Sequence, residues 1–320
     1  MTKEILPFSD VKEKIEQAQS ITILSHLNPD ADTLGTALGI YTLLTQEKGK
    51  RVEVVNASSF LPKYLDFLPN FQKIKQKMDY TDSLIITCDC ANVKRLGFDI
   101  ADRDILNIDH HKSNTLYGTI NVILSNYASA SQVAYRLFDT LYKIDAKVAT
   151  CFYAALLSDT KYFTTISVNE EVFLVAQSLV QKGAKPEDIA YHFTQRRSLA
   201  SVRILEKALS TLKLYNEAKI AVLHVTKVYI LESGATVPDM EGIVEYGLSL
   251  ATVEIALFVM ELEEGLRISL RSKKVDVSSV AVAFAGGGHK VASGFTMQQS
   301  NLQESIDTIL EKINELGLLI

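Results

Sequence analysis

Short apolar runs that alternate with segments of helical periodicity are the feature that most constrains the fold of this chain. Each run fits a buried strand, and the runs lie at residues 21–24, 52–55, 83–88 and 105–108. Apolar residues recur at helical spacing over residues 34–44, 131–142 and 146–157. Strands that alternate with helices form a mostly parallel sheet covered by helices on both faces, so we predict an α/β fold.

A change in the sequence pattern predicts a second domain. Residues 182–186 combine glycine and proline, which interrupt regular structure, and a helical pattern continues from there to residue 209. Strand-like patterns follow at residues 221–225, 252–261 and 266–270. We therefore predict a first domain of residues 1–185, a helical linker of residues 186–212, and a smaller α/β domain of residues 213–320.

Composition narrows the classes of function. The formal net charge of −5 argues against a general binder of long nucleic acid, which needs a broad basic face. No apolar run reaches the roughly 20 residues of a transmembrane helix, and the first residues lack the apolar core of a signal peptide. The three cysteines form no CxxC pair, and an odd number suits a reducing cytoplasm better than a disulfide framework.

Acidic and imidazole side chains follow the predicted strands at the end where open α/β sheets bind ligands. These residues are His26, Asp30, Asp32, Asp89, Asp109 and His110, and Asp159 comes from a later helical segment. Burying so many carboxylates together is unfavourable unless cations balance them, so the set predicts a two-metal site. A single aspartate of this kind is more often a turn or helix cap, and Asp30 also fits a cap of the helix that begins near Asp32.

A glycine-rich segment in the second half is a candidate site for phosphate. Gly286, Gly287 and Gly288 allow close approach of the backbone, and His289 adds a ring or a donor. A glycine triplet alone is more often a tight turn, but residues 280–284 before it look strand-like. Upstream, Arg267, Ser269 and Arg271 alternate and so share one face of a predicted strand; Arg267 fits a solvated face at least as well as an anion contact.

The order of these segments resembles the DHH phosphoesterases. Residues 25–35, Asp89, residues 109–111 and residues 158–160 are similar to the four motifs of that family, and residues 286–289 with 292–295 are similar to the signature of the associated DHHA1 domain. The order and length are most similar to the bacterial nanoRNase and pAp phosphatase branch. Two positions depart from the family pattern, since Ala31 stands where glycine is common and Lys161-Tyr162 where small residues are expected.

The resemblance implies a role for each site residue. His26, Asp30 and Asp89 would hold one metal, and Asp32, Asp89, His110 and Asp159 the second, with Asp89 bridging. Asp109 would orient an imidazole, and His111 would face the phosphate or leaving group, although a structural histidine remains an alternative there. Arg271, with Ser272 beside it, would contact the anion together with the glycine segment and His289.

The function that follows is a phosphoesterase for short nucleotides. Mixed imidazole and carboxylate ligands favour Mn²⁺, with Mg²⁺ or Co²⁺ as substitutes, and the two metals would activate a bridging water. The expected substrates are short oligoribonucleotides, linear dinucleotides such as pApA and pGpG, and 3′-phosphoadenosine 5′-phosphate (pAp). The alternatives are a cyclic dinucleotide phosphodiesterase, a pyrophosphatase, and a nucleotide sensor without turnover. We expect no membrane partner, and a homodimer is compatible with the sequence.

Overall fold

The computed structural model describes residues 8–47, 49–298 and 301–319. The chain divides into two compact units, of which the first ends at Arg196 and the second begins at Arg197. Each unit builds its own sheet and its own hydrophobic core. Within the described ranges, no helix is both long enough and apolar enough to cross a membrane.

The first unit contains a parallel sheet. Its strands are β1 (Ser20–Ser25), β2 (Arg51–Val55), β3 (Ile74–Lys75), β4 (Leu84–Cys88), β5 (Ile105–Asp109) and β6 (Ile120–Ile123). The spatial order is β3-β2-β1-β4-β5-β6, and every neighbouring pair is parallel. The predicted parallel sheet is thereby confirmed, while β3 and β6 were not predicted. The strand order reverses between β1 and β4, and such a switch point leaves a crevice at the carboxyl ends of the strands.

Helices flank this sheet. They are α1 (Phe8–Gln17), α2 (Ala31–Leu44), α3 (Ala130–Phe138), α4 (Ala146–Asp159), α5 (Glu170–Gln181) and α6 (Pro186–Thr194). Thirteen of the fourteen residues of α2 are buried, which makes it the central helix of the unit. Helix α2 packs closely on α4, since a Cβ added at Gly39 would lie 2.3 Å from the ring of Phe152. The helix predicted for residues 131–142 ends earlier, at Phe138, and the apolar pattern continues into a turn.

The second unit is smaller and contains a mixed sheet. Its strands are β7 (Lys213–Tyr215), β8 (Ile220–Val225), β9 (Ile255–Leu262), β10 (Gly265–Ser272), β11 (Gly287–His289) and β12 (Ala292–Met297). Their order is β11-β12-β10-β9-β8-β7, with β8 and β9 parallel and the other pairs antiparallel. This second α/β unit agrees with the predicted fold class.

Helices cover parts of both faces of the second sheet. They are α7 (Leu199–Ser210), α8 (Lys227–Ser233), α9 (Ile243–Leu248), α10 (Ser278–Ala283) and α11 (Leu302–Glu315). The strand predicted over residues 280–284 is wrong, because this segment belongs to α10, which buries Val280 and Ala281 and exposes Val282. A short apolar run fits either structure until its tertiary packing is known. The segment 186–212 contains two helices, α6 and α7, rather than one.

Candidate metal centre

The loop after β1 directs His26 toward the end of β4. The Nδ1 atom of His26 lies 2.8 Å from the carbonyl oxygen of Leu27, which can only accept, so Nδ1 carries the hydrogen. The Nε2 atom then faces Oδ2 of Asp89 at 3.5 Å, with both side chains almost fully buried. A backbone carbonyl that fixes the tautomer in this way is a common arrangement for a histidine that binds a metal.

Asp30 caps helix α2 and also lies beside His26. Its Oδ1 accepts hydrogen bonds from the backbone N–H groups of Asp32, at 3.0 Å, and Thr33, at 3.1 Å. The cap expected from the sequence is therefore present. One carboxylate oxygen is enough for both bonds, and ligand atoms of His26, Asp30 and Asp89 lie within 4.8 Å of one another. Capping and metal binding are thus compatible at this residue.

Asp32 joins the first turn of α2 to the start of α3. Its carboxylate accepts from the backbone N–H groups of Ala130, at 2.7 Å, and Ser131, at 3.1 Å. These donors support a charged carboxylate at a helix N-terminus. Burial, followed by the neighbouring charge of Asp89, nevertheless raises the pKa of Asp32 well above its ordinary value. Without a nearby cation, the charge of Asp32 is therefore costly.

Asp89 lies at the middle of the cluster. It follows β4 with a left-handed backbone (φ 54°), which is unusual for a residue with a side chain and is common at functional sites. Its Oδ1 is buried and, within the described part of the chain, has no hydrogen-bond partner, although Nε2 of His110 lies 3.5 Å away. Burial acts to raise the pKa of Asp89, but the facing imidazoles of His110 and His26 outweigh burial and hold that pKa below its usual range. An unpartnered buried carboxylate oxygen is the expected property of a metal ligand in a structure without ions.

Asp109 organises the loop that follows β5. Its Oδ1 accepts from the N–H groups of His110 and His111 and from Nδ1 of His111, the last at 2.7 Å. Its Oδ2 accepts from the side-chain amide of Asn114 at 2.6 Å. Because these four donors engage a fully buried carboxylate, Asp109 fits an orienting role better than a metal ligand, even though it lies close to Asp89.

His110 and Asp159 complete the second group with Asp32. The Nδ1 atom of His110 donates to the carbonyl of Tyr127 at 3.2 Å, which turns Nε2 toward Oδ2 of Asp159 at 3.4 Å and Oδ2 of Asp32 at 3.9 Å. Burial, and then the charges of Asp89 and Asp30, raise the pKa of Asp159 to about 7 despite the opposing effect of the histidines. Ligand atoms of Asp32, His110 and Asp159 lie within 4.8 Å of one another.

The residues fit two divalent cations. The structure brings together two ligand groups, His26–Asp30–Asp89 and Asp32–His110–Asp159, and Asp89 lies within 3.5 Å of a histidine from each. Four carboxylates carry four negative charges, which two divalent cations would neutralise. The orientation of both histidines, with Nε2 turned toward the centre, and the unpartnered Oδ1 of Asp89 agree with this occupancy. The six side chains named from the sequence therefore converge, and their assignment as ligands remains a prediction.

The candidate substrate residues lie in the second unit. Strand register aligns Arg271 with Ala292 and Ala292 with His289, so these side chains share one face of the sheet. Arg271 donates through Nε to Glu245 at 3.1 Å. The other carboxylate oxygen of Glu245 is buried and has no partner among the described residues. Ser272 is buried and donates to the carbonyl of Val275, so its hydroxyl hydrogen is already engaged.

The glycine segment has a backbone that other residues cannot adopt easily. Gly288 has φ 143°, and a Cβ at Gly286 would lie 2.4 Å from the carbonyl oxygen of Gly294. A Cβ at Gly287 would meet nothing within 4 Å, so this position opens to solvent. The turn itself therefore requires glycine at positions 286 and 288, which agrees with the tight turn considered as an alternative from the sequence. Gly287 and the exposed His289 leave room for a ligand.

Comparison with known proteins identifies both units. A family model described as the DHH family, N-terminal domain, matches residues 20–156, and a DHHA1 domain model matches residues 217–316. The chain belongs to the DHH family. It is a DHH phosphoesterase with a DHHA1 domain, and thus a metal-dependent hydrolase.

Similar proteins cover nearly the whole chain of this DHH enzyme. The bifunctional oligoribonuclease and PAP phosphatase NrnA of Thermus thermophilus is 27% identical over 299 residues, which cover 92% of this chain and 89% of that protein. The protein of the same name from Bacillus subtilis is 23% identical over 300 residues, which cover 92% of this chain and 94% of that protein. The crystal structure of an exopolyphosphatase-related protein from Bacteroides fragilis has a TM-score of 0.90 at 28% identity and covers 99% of both chains.

Several residues of the DHH enzyme's site were missed from the sequence. Asn114 holds Asp109, and the hydroxyl of Thr33 donates to the carbonyl of Cys88 at 2.9 Å, which ties α2 to the end of β4. Arg95 reaches His26, and Glu245 pairs with Arg271. Asn114 follows the histidines closely enough to be suspected as a turn residue. The others carry no pattern in the sequence that indicates their contacts.

Proposed function

We propose that this DHH enzyme hydrolyses short oligoribonucleotides and linear dinucleotides to mononucleotides, and pAp to AMP, with Mn²⁺ as its metal. The observation that carries the proposal is the convergence of six ligand side chains on the ends of β1, β4 and α4 and the β5 loop, around the unpartnered Oδ1 of Asp89. Relatives named oligoribonuclease and PAP phosphatase support the substrate class. The balance of imidazole and carboxylate donors supports Mn²⁺ over Mg²⁺, which prefers oxygen ligands.

The first metal would be held by His26, Asp30 and Asp89, and the second by Asp32, His110 and Asp159 with Asp89 shared between them. When bound, the two cations lower the pKa of water and neutralise charge on the substrate phosphate. The carbonyls of Leu27 and Tyr127 keep each histidine in the tautomer whose Nε2 faces the centre. The chain thus supplies ligands whose orientation is fixed before any substrate arrives.

Asp109 and His111 would act on the phosphate side of the centre. Asp109 accepts from Nδ1 of His111 at 2.7 Å, which fixes the orientation of that ring. Hydrolysis transfers the oxygen of water to phosphorus, breaks the bond to the leaving nucleoside oxygen, and requires one proton at that oxygen. His111 is the side chain proposed to contact the phosphate or that leaving oxygen, in the way that an oriented histidine supports acid and base chemistry.

The second unit would hold the rest of the substrate. We propose Arg271 and His289, on one face of the sheet, together with Gly286, Gly287 and Gly288, as contacts for the second phosphate or the nucleoside. Ser272 would contribute its backbone or its acceptor oxygen, since its hydroxyl hydrogen is engaged. A net charge of −5 gives long polymers little to bind, which supports short substrates.

The predicted domain limits, cellular location and oligomeric state remain part of the proposal. We propose residues 1–185 as the metal-binding domain, residues 186–212 as a helical linker and residues 213–320 as the substrate-binding domain. Three buried, unpaired cysteines support a reducing cytoplasm as the location. A homodimer remains a prediction.

Product analysis with purified protein and Mn²⁺ tests the proposed function. The substrates pAp, pApA, a five-residue RNA, cyclic di-AMP and pyrophosphate are supplied separately, each with a control in excess chelator. Turnover of pAp and of short linear RNA, lost with chelator, would support the proposal. Cleavage limited to cyclic di-AMP or to pyrophosphate would assign a different substrate, and binding of nucleotides without turnover would make the protein a sensor.

A further inference from the structure

Arg95 is a cation beside the metal centre and belongs to neither the proposed metal ligands nor the proposed substrate contacts. It lies in the 3-10 turn Val93–Leu96, which follows β4 and the Asp89 position. Its Nη2 atom is 3.2 Å from Nδ1 of His26, and its side chain is otherwise exposed to solvent. A positively charged group at this distance from a buried ligand of the centre would repel the cations it binds, so its presence calls for a reason.

The contact between Arg95 and His26 is not a hydrogen bond. Nδ1 of His26 already carries a hydrogen, which it donates to the carbonyl of Leu27 at 2.8 Å. Nη2 of an arginine is only a donor, so two donors face each other across 3.2 Å. Arg95 therefore does not hold His26 through this atom, and its N–H groups remain available to an acceptor outside the ring.

Arg95 also lacks a carboxylate partner of the kind that two arginines in the described part of the chain possess. Arg196 pairs with Asp66 and Arg271 with Glu245, each within 4.0 Å, whereas among the described residues no carboxylate lies that close to Arg95. The four carboxylates of the two ligand groups would be neutralised by two divalent cations. The charge of Arg95 would then be in excess, beside a site proposed to receive an anion.

The turn that carries Arg95 is anchored by other atoms. Its backbone carbonyl accepts from the N–H of Leu27 at 2.7 Å, and Leu96 is fully buried beside it. Gly97 adopts φ 74°, where a Cβ would lie 2.9 Å from the Cβ of Ala57. Because none of these contacts uses the guanidinium, a substitution at Arg95 is expected to leave the turn and the His26 loop in place.

We propose that Arg95 is a catalytic residue whose guanidinium binds a non-bridging oxygen of the phosphate ester under attack, on the side of the centre formed by His26, Asp30 and Asp89. Guanidinium groups match the geometry of phosphate oxygens and keep their charge at all relevant pH values. The phosphate gains negative charge as water attacks, so this contact strengthens in the transition state. The inference rests on the proposed phosphoesterase function and adds a residue to it.

Kinetics of three variants test this role. Arg95→Met removes the charge and keeps most of the side-chain volume, Arg95→Lys keeps the charge without the planar fork, and Lys94→Met is the matched control on the same exposed turn. With pApA as substrate and saturating Mn²⁺, Arg95→Met is expected to lower kcat/KM by about 10- to 100-fold, as the loss of a charge-assisted hydrogen bond does. Arg95→Lys should recover part of the rate, and Lys94→Met should stay within about twofold of wild type.

Two further measurements separate substrate contact from support of the metal. The Mn²⁺ concentration that gives half the maximal rate should be unchanged in Arg95→Met, and the Kd of AMP for the Mn²⁺-loaded protein should rise by about 10-fold or more. Thermal unfolding checks that each variant is folded. If Arg95→Met is not folded, Arg95→Lys replaces it in these measurements.

Two results would overturn the role of Arg95. One is a kcat/KM for Arg95→Met equal to that of Lys94→Met. The other is recovery of the full rate when Mn²⁺ is raised, which would make Arg95 a support for His26. Both results require an active wild-type enzyme; a wild type that hydrolyses none of the nucleotides would contradict the proposed function instead.

Discussion

Replacing Asp89 with asparagine is expected to remove metal from both halves of the centre. The side chain keeps its size and loses its charge, so packing around β4 is preserved. Asp89 lies 3.5 Å from Nε2 of His26 and 3.5 Å from Nε2 of His110, which belong to different ligand groups. One substitution therefore weakens both groups, and the carboxylates that balance the cations fall from four to three.

The size of the effect follows from ligand loss at each site. Loss of even a supporting partner costs about 10- to 100-fold in metal affinity, and a direct ligand at least that much. Metal at about 1,000 times its Kd stabilises the wild type by about 4 kcal/mol per site, and a loss of 10- to 100-fold leaves about 1.4–2.7 kcal/mol. With about 2–4 °C per kcal/mol for a unit of this size, the Mn²⁺-induced rise in Tm should fall from about 8–16 °C per site to about 3–11 °C, or less.

The assay is thermal unfolding at increasing Mn²⁺, together with the metal content of the protein after gel filtration and the rate of pAp hydrolysis. The rate should fall by at least about 100-fold, because each half of the centre lacks a ligand. Asp79→Asn is the matched control, since that carboxylate is exposed and, among the described residues, pairs only with a surface lysine. If Asp89→Asn retained two metals and the wild-type rise in Tm, the shared-ligand assignment would be wrong.

Three further predictions concern binding, packing and pH. Arg271→Ala should raise KM by about 10-fold or more with little change in kcat, while Arg267→Ala on the same face has a smaller effect; steady-state kinetics with pApA measure this. Gly39→Ala should lower the free energy of unfolding by about 1–3 kcal/mol in urea, because its Cβ would lie 2.3 Å from the ring of Phe152. Asp66→Asn should cost at most about 1 kcal/mol at neutral pH, since its ion pair is partly exposed. The hydrogen bond from its arginine partner lowers the pKa of Asp66, so this stability is present above the ordinary carboxyl pKa and is lost as pH falls through the lowered value.

Each of these predictions can fail in a specific way. A fall in kcat with an unchanged KM would contradict the binding role of Arg271. Equal or greater stability of Gly39→Ala would mean that α2 and α4 separate without cost. A stability difference for Asp66→Asn that stays constant down to strongly acidic pH would show that the carboxylate charge contributes nothing there.

The residues of the candidate metal centre could be predicted from the sequence because of a simple property of parallel sheets. Parallel strands all end at one edge of their sheet, so residues that follow separate strands are brought together whatever lies between them. His26, Asp89 and His110 follow β1, β4 and β5 in this way, and β1 and β4 are neighbours at the switch point. Asp159 comes from the end of α4, so strand direction does not place it with the others; it was included as an acidic residue at the end of an apolar run and by its resemblance to a family motif.

The second unit shows where local patterns were insufficient. Residues 280–284 have apolar character that suits a strand or a short helix, and packing of Val280 and Ala281 against the second core selected the helix. The hydroxyl of Ser272 could be expected to face a ligand, but the turn after β10 directs its hydrogen to Val275. These outcomes depend on contacts between segments that are distant in sequence or on the exact path of a turn.

The sequence by itself determined the alternating α/β pattern and the residue types at the strand ends, because periodicity and strand direction are local properties of the chain. The tertiary structure alone decided which oxygen atoms are already engaged. Asp109 has its oxygens occupied by four donors, whereas Oδ1 of Asp89 has no partner in the described ranges, although both are aspartates at the end of an apolar run. It also decided that Arg95 lies beside His26, 69 residues away in the chain. Hydrogen-bond saturation and contacts of this kind depend on the three-dimensional path of several loops at once, which no local pattern records.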